Sequence, residues 1–222
     1  MKPLTRRTLA TLSTALALGV LLPACAPLVV GGAAMGTALV AVDRRTSGAQ
    51  LDDQGIELRA TNRLREQFGE RANISVTSYN RQVLLTGEAA NANVKAEAER
   101  VVAGVDNVRS IVNEIGVVNS PSLGQRSNDT FITGQIKAGM VDAKDLSSSA
   151  FKVVTTRGTV YLMGRVTQRE ANRATDIARN ISGVTRVVRV FEIITEEELA
   201  RLASPVKAEE DAAKRNATGG NN

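Results

Sequence analysis

The side chain best suited to covalent chemistry is the thiol of Cys25, the single cysteine in a 222-residue chain with no histidine. Those two counts exclude whole classes of mechanism. Nucleophile–base pairs built on Ser-His or Cys-His cannot form, and a zinc site with nitrogen or sulfur ligands cannot be assembled. The chain also has no P-loop, no G-x-G-x-x-G and no clustered carboxylates, so neither phosphate-cradling loops nor paired acid–base groups are available. The expectation is a protein that is not an enzyme and carries no cofactor or metal. What Cys25 can do is set by its surroundings. Lys2, Arg6 and Arg7 form a basic start, Thr8 to Leu22 carries no charge, and the small residue Ala24 precedes the thiol. This is the layout of a cleaved secretion signal, residues 1–24.

With cysteine at the first mature position, Leu22-Pro23-Ala24-Cys25 resembles the lipobox of bacterial lipoproteins. The resemblance implies a signal peptide that is removed and a Cys25 that is acylated with palmitate-type chains. It implies the outer membrane as destination too, because the residue after the cysteine is Ala26 and not aspartate. A plain signal anchor beside a buried cysteine is the alternative. Thr5-Arg6-Arg7-Thr8-Leu9 also loosely resembles a twin-arginine export signal.

Composition narrows the partners. The chain is 43% hydrophobic but only 3% aromatic, with a net charge of +5. Removing the three basic residues of the signal leaves 25 basic against 23 acidic groups, or +2. Neither that balance nor the lack of aromatic stacking platforms suits a nucleic-acid binder. With no cysteine pair, packing alone must hold the folded parts together.

Ala26 to Val42 is an apolar, Gly- and Ala-rich run of 17 residues. That is the lower limit for a membrane span, so a second transmembrane segment competes with a membrane-hugging tether. Pro27 and Gly31, Gly32 and Gly36 favour the tether, and Asp43 to Gln54 reads as a polar linker. Residues 25–52 are thus expected to be anchor and tether.

The remainder contains an internal repeat. Gln82-Val83-Leu84-Leu85-Thr86-Gly87-Glu88 matches Thr159-Val160-Tyr161-Leu162-Met163-Gly164-Arg165, 77 positions later. Gly104-Val105-Asp106-Asn107-Val108 matches Gly183-Val184-Thr185-Arg186-Val187, 79 positions later. Periodicity gives each unit the order α-β-β-α-β. In the first unit, 53–118, Ile56, Ala60 and Leu64 mark a helix, 73–77 and 83–85 form a hairpin, Asn91 to Ala103 a second helix, and Val108 to Ile115 a third strand. The second unit, 128–195, repeats this with a helix from Thr130, strands 151–156 and 159–163, a helix over 168–181 and a strand over 184–191. The fold class is α+β, with two helices packed on a three-stranded mixed sheet in each unit. Gly104 and Gly183 are expected to cap helices in left-handed geometry. Gly87 and Gly164 are expected to end strands where the backbone turns sharply. Residues 119–127 read as a linker. Thr195 with Glu198 fits a capping box for a short helix through Leu202, and the polar tail from Ser204, within 196–222, as disordered.

These repeated markers resemble the BON domain, a small α/β module of bacterial envelope proteins. A lipobox followed by two such modules is similar to the dual-BON lipoproteins of the outer membrane, with a looser relation to osmotically inducible BON proteins. The resemblance implies a periplasmic, cell-envelope protein that binds anionic phospholipid of the phosphatidylglycerol type, supports outer-membrane integrity and gathers at sites of cell division, in a family associated with stress response.

The second unit is the better candidate for lipid. It holds ten basic and six acidic residues, against eight and nine in the first, and an anionic bilayer attracts nearby basic groups by ~1 kcal/mol each. Ile132, Ile136 and Met140 form a core stripe on its first helix. At roughly 100° per residue, Phe131, Ala138 and Val141 fall well away from that stripe, with Lys137 and Lys144 near Val141. The corresponding positions in the first unit are Gly55, Asn62 and Arg65, so outward apolar character is expected in the second unit alone. In the family this helix carries the phospholipid contact, with an aromatic at the position of Phe131. The expected lipid-binding set is Phe131, Gly134, Gln135, Lys137, Ala138, Val141 and Lys144. Packing of Phe131 onto the fold is the bland alternative for that residue. A protein-interaction adaptor for envelope or outer-membrane assembly factors is the competing function.

Overall fold

The computed structural model describes residues 43–118 and 122–202. The signal, Cys25, the run to Val42 and the tail from Ala203 lie outside the described residues. Among the described residues no helix is long and apolar enough to cross a membrane.

The first unit runs α1 (Ser47–Phe68), β1 (Ala72–Tyr79), β2 (Gln82–Ala89), α2 (Ala92–Ala103) and β3 (Ser110–Asn113). The second runs α3 (Leu123–Asp142), β4 (Phe151–Thr156), β5 (Thr159–Thr167), α4 (Gln168–Arg179) and β6 (Arg186–Ile194). Each sheet has its hairpin strands antiparallel and its third strand parallel to the second. The orders are β1-β2-β3 and β4-β5-β6. The α+β reading with two mixed three-stranded sheets holds.

Alternation along the central strands separates the layers. Val83 and Leu85 face α1 and α2, joining Ile56, Ala60, Leu64, Val94, Ala98 and Val102 in one core. Val160 and Leu162 do the same in the second unit with Ile132, Ile136, Met140, Ala171, Ala174 and Ala178. The residues between them point the other way. Tyr79 and Leu84 from one sheet meet Tyr161, Met163 and Val190 from the other in a third buried cluster. The two sheets therefore pack through the faces their helices leave bare. Polar groups close the rim. Tyr79 Oη donates to Ala150 O at 3.3 Å, Lys152 Nζ to Glu57 at 2.7 Å, and Asn80 Nδ2 to Glu192 at 2.7 Å.

Where a polar linker is expected over Asp43 to Gln54, the chain is structured. Thr46 Oγ1 accepts from Ala49 N and starts α1 at Ser47. Arg44 makes a bidentate pair with Glu170 (2.7 Å each), and both are buried. Arg45 bridges Asp43 and Asp53 and lies 4.5 Å from the centre of the Tyr79 ring. Charge density marked this stretch as solvated, but the partners of Arg44 lie more than a hundred residues away in sequence. The expected linker over 119–127 also gives way to helix from Leu123, because Ser122 Oγ caps Gln125 N. The third strand of the first unit is shorter than expected: Glu114 N and Gly116 N donate to Leu85 O and Gly87 O outside a regular ladder. The helix expected over 168–181 stops at Arg179, and β6 extends to Ile194. Thr195 Oγ1 accepts from Glu198 N, opening a helical turn over 196–202.

The glycines act differently from expectation. Gly87 and Gly164 lie inside β2 and β5, not at their ends. A Cβ would sit 2.0 Å from Asn73 O at Gly87, whose φ is +107°, and 2.5 Å from Ala150 O at Gly164. Both permit a neighbouring backbone to come close. Gly104 has φ −82°, so it is not left-handed. Gly183 is left-handed, with φ +89°, yet lies beyond the α4 cap at Asn180.

Two outcomes follow for stability. Gly87→Ala lowers it by roughly 2–4 kcal/mol in urea unfolding, since clash and strain add, whereas Gly104→Ala changes it by less than about 0.5 kcal/mol. A large loss at Gly104 overturns this assignment. Burial pushes the Glu170 carboxyl up, but Arg44 and the Thr167 N–H outweigh it and hold it below the usual range. Its contribution is therefore complete above about pH 4.5, the unfolded value, and fades as acid titrates the folded carboxylate. Glu170→Gln costs about 3 kcal/mol at pH 6, and its unfolding midpoint falls less than that of the wild type between pH 5 and pH 3.

Candidate functional site

α3 is fixed to its unit on three sides. Its inner stripe, Ile132, Ile136 and Met140, is buried. Gly139 lets Ile177 of α4 approach, a Cβ there being 3.0 Å from Ile177 Cγ2. Thr133 Oγ1 and Thr155 Oγ1 hydrogen-bond at 2.7 Å, tying the helix to β4. At its start, Asp129 is buried and accepts from the backbone N–H groups of Arg157 and Gly158 at 2.8 Å each. Those two residues form the β4–β5 turn with φ of 53° and 72°, the two-residue hairpin geometry with both centres left-handed. Asp53 of α1 does the same for Asn80 and Arg81, whose φ are 51° and 64°, at 2.7 Å each. Sequence reasoning missed these carboxylates. The signal was present in the repeat of Asp53-x-x-Ile56 as Asp129-x-x-Ile132, 76 positions apart.

With the inner stripe committed, the outer face is left to solvent. Phe131 is 63% exposed and Val141 is 68% exposed. Gly134, Gln135, Lys137, Ala138 and Lys144 are exposed too. Phe131 does not fold back onto the sheet. A helical angle of about 100° per residue puts Phe131, Gly134, Gln135, Ala138 and Val141 on one stripe, with Lys137 at its border. Lys144 is set apart, since α3 ends at Asp142. Acidic neighbours oppose anion binding less than their number suggests: Asp145 pairs with Arg173 at 3.4 Å, and its carbonyl accepts from Arg169.

The expectation that outward apolar character belongs to the second unit alone is overturned. Leu51 and Leu58 on α1 are 69% and 64% exposed. Each sits one turn from Gly55, the place that corresponds to Phe131, and neither Gly55, Asn62 nor Arg65 reveals them. α1 lacks the aromatic and the bordering lysine, having Gly55 and Thr61 at the places of Phe131 and Lys137.

Among the described residues there is no group of three His, Cys, Asp or Glu able to hold a metal ion. The residues expected to contact lipid come together as an exposed apolar stripe with a cationic border, whereas Cys25 lies outside the described residues.

Comparison with known proteins places this arrangement in context. The model of the BON domain matches residues 52–119 and 128–195. The chain is 37% identical to the outer membrane lipoprotein DolP of Haemophilus influenzae over 177 residues, covering 79% of this chain and 91% of that protein. It is 35% identical to the 21 kDa hemolysin of Actinobacillus pleuropneumoniae, over 69% of this chain and 80% of the relative. It is 31% identical to the osmotically-inducible protein Y of Escherichia coli, over 63% and 72%. Two matched modules, each folded as a hairpin and parallel third strand under two helices, establish that the chain belongs to the BON domain family.

Proposed function

We propose that this is a lipid-anchored protein of the periplasmic face of the outer membrane, held by acylated Cys25, which contacts anionic phospholipid through α3 of its second BON unit and supports membrane integrity. Residues 1–24 serve as signal and 25–42 as tether in this reading. The observation that carries it is the outward exposure of Phe131 and Val141 on a helix whose inner face is fully committed. Apolar groups of that kind, bordered by lysine, suit the boundary between headgroups and acyl chains. Lys137 and Lys144 add attraction for acidic headgroups that salt screens. The similarity to a protein named an outer membrane lipoprotein supports the location. Phenylalanine has no N–H for the headgroup level, so Phe131 inserts as a purely apolar wedge.

A second reading, an adaptor for envelope proteins, draws on Leu51 and Leu58. Their helix covers the face of the first sheet opposite the shared layer.

Cosedimentation of the fragment 40–222 with phosphatidylglycerol vesicles separates the two. Phe131→Glu weakens binding tenfold or more, the loss of about 1.5–3 kcal/mol of apolar burial, with unfolding unchanged. Leu58→Glu leaves vesicle binding as it was. Raising salt from 50 to 300 mM weakens the wild type. Equal binding by Phe131→Glu and wild type removes α3 as the contact.

A further inference from the structure

Beside the exposed stripe, α3 and the edge strand β4 leave a cavity of about 260 Å³. Its floor is apolar, made by Met140, Phe151 and Val153, and its rim carries Lys137, Val141 and Ser148. Val141 belongs to both features, so the cavity opens at the stripe itself. Lys137 makes no ion pair among the described residues.

The first unit supplies an internal control. The equivalent crevice between α1 and β1 encloses about 220 Å³ and is lined in part by Thr61, Leu64, Arg65 and Ile74. The 76-residue offset that relates Asp53 to Asp129 relates Thr61 to Lys137, Leu64 to Met140 and Arg65 to Val141. Strand register relates Ile74 to Phe151, because each pairs with the strand-interior glycine, Gly87 or Gly164. The crevice is thus a product of the fold. Its chemistry is a product of sequence: an arginine occupies the mouth in the first unit, whereas valine opens it in the second, with a cation to one side.

We propose that the α3–β4 crevice is a subsite for one anionic lipid molecule. The phosphate lies against Lys137 Nζ and the Ser148 hydroxyl, and the first carbons of one chain enter against Met140, Phe151 and Val153. A volume just under the usual range for ligand cavities suits part of a lipid and not the whole. This subsite rests on the reading of α3 as the lipid-facing helix, but it demands more than adhesion: a single lipid is recognised, phosphate and chain together.

Dihexanoyl phosphatidylglycerol, kept below the concentration at which it aggregates, tests this on fragment 40–222, whose two units form one compact body. Saturable NMR shifts are expected at Lys137, Ser148, Phe151 and Val153, and none around Thr61, Arg65 and Ile74. Inorganic phosphate gives no such shifts at Phe151 and Val153, and dihexanoyl phosphatidylcholine binds more weakly. Lys137→Ala, a change at an exposed position, lowers affinity for the soluble lipid roughly tenfold, the loss of one charge-assisted hydrogen bond, and Lys137→Arg restores it. Ser148→Phe, filling the mouth, abolishes the shifts at Phe151. Shifts confined to the outer stripe, or equal in both crevices, overturn the subsite while leaving surface contact standing. Saturable binding of the soluble lipid, together with vesicle binding that Phe131→Glu leaves unchanged, shows the converse, a lipid subsite without a membrane-docking stripe.

Discussion

Everything outside the two small cores depends on one contact, the apolar layer where the bare faces of the two sheets meet. A three-stranded sheet covered by helices on one side has a second side that must be either polar or covered. Here Tyr79 and Leu84 on one sheet and Tyr161, Met163 and Val190 on the other are buried against each other. That choice sends all four helices outward, in two opposed layers. α3 packs on β4 and α4 of its own unit, and its outer stripe reaches solvent. Joining the units through helices instead would have buried Phe131 and Val141.

Within each unit the same polar device fixes the first helix to the hairpin. A turn with two left-handed residues directs two adjacent N–H groups away from the ladder, and buried donors of that kind must be satisfied. Asp53 and Asp129 accept both. Removing either carboxylate would orphan two donors at once, so the helix–hairpin angle is the least adjustable part of the frame. Because the frame is the same twice, differences in function come from what the outward positions carry.

The sequence made the repeated frame readable because hydrophobic periodicity and paired markers act locally. Ile56, Ala60 and Leu64, and later Ile132, Ile136 and Met140, fall on inner faces for reasons of helical geometry alone. The outward position of Phe131 followed by the same rule. Interactions that close over long separations were not readable. Arg44 looks like a solvated residue until Glu170 is folded beside it. Gly87 looks like a turn glycine until β1 is laid alongside and Asn73 O occupies the place of its Cβ. The crevice beside β4 was equally hidden, since its walls come from α3, the short 3-10 turn Ser148–Ala150 and a strand whose register no local pattern reveals. The miss at Leu51 and Leu58 had another cause: the right rule was applied at too few positions.

The buried Arg44–Glu170 pair ties the segment ahead of α1 to the second unit. Glu170 stands in the first turn of α4, and the same turn carries Arg169, which donates to Asp145 O just beyond the end of α3. Arg44 therefore reaches the second unit at the first turn of α4, whose Arg169 touches Asp145 beyond the end of α3 at Asp142. Arg165 reinforces the position by donating to Arg44 O. The same segment is also bound to the first unit, since Arg45 pairs with Asp53 and Thr46 caps α1. A buried ion pair stabilises little when measured against a well-packed apolar pair, but it demands one geometry. In this molecule that geometry sets the segment ahead of α1 against the first turn of α4.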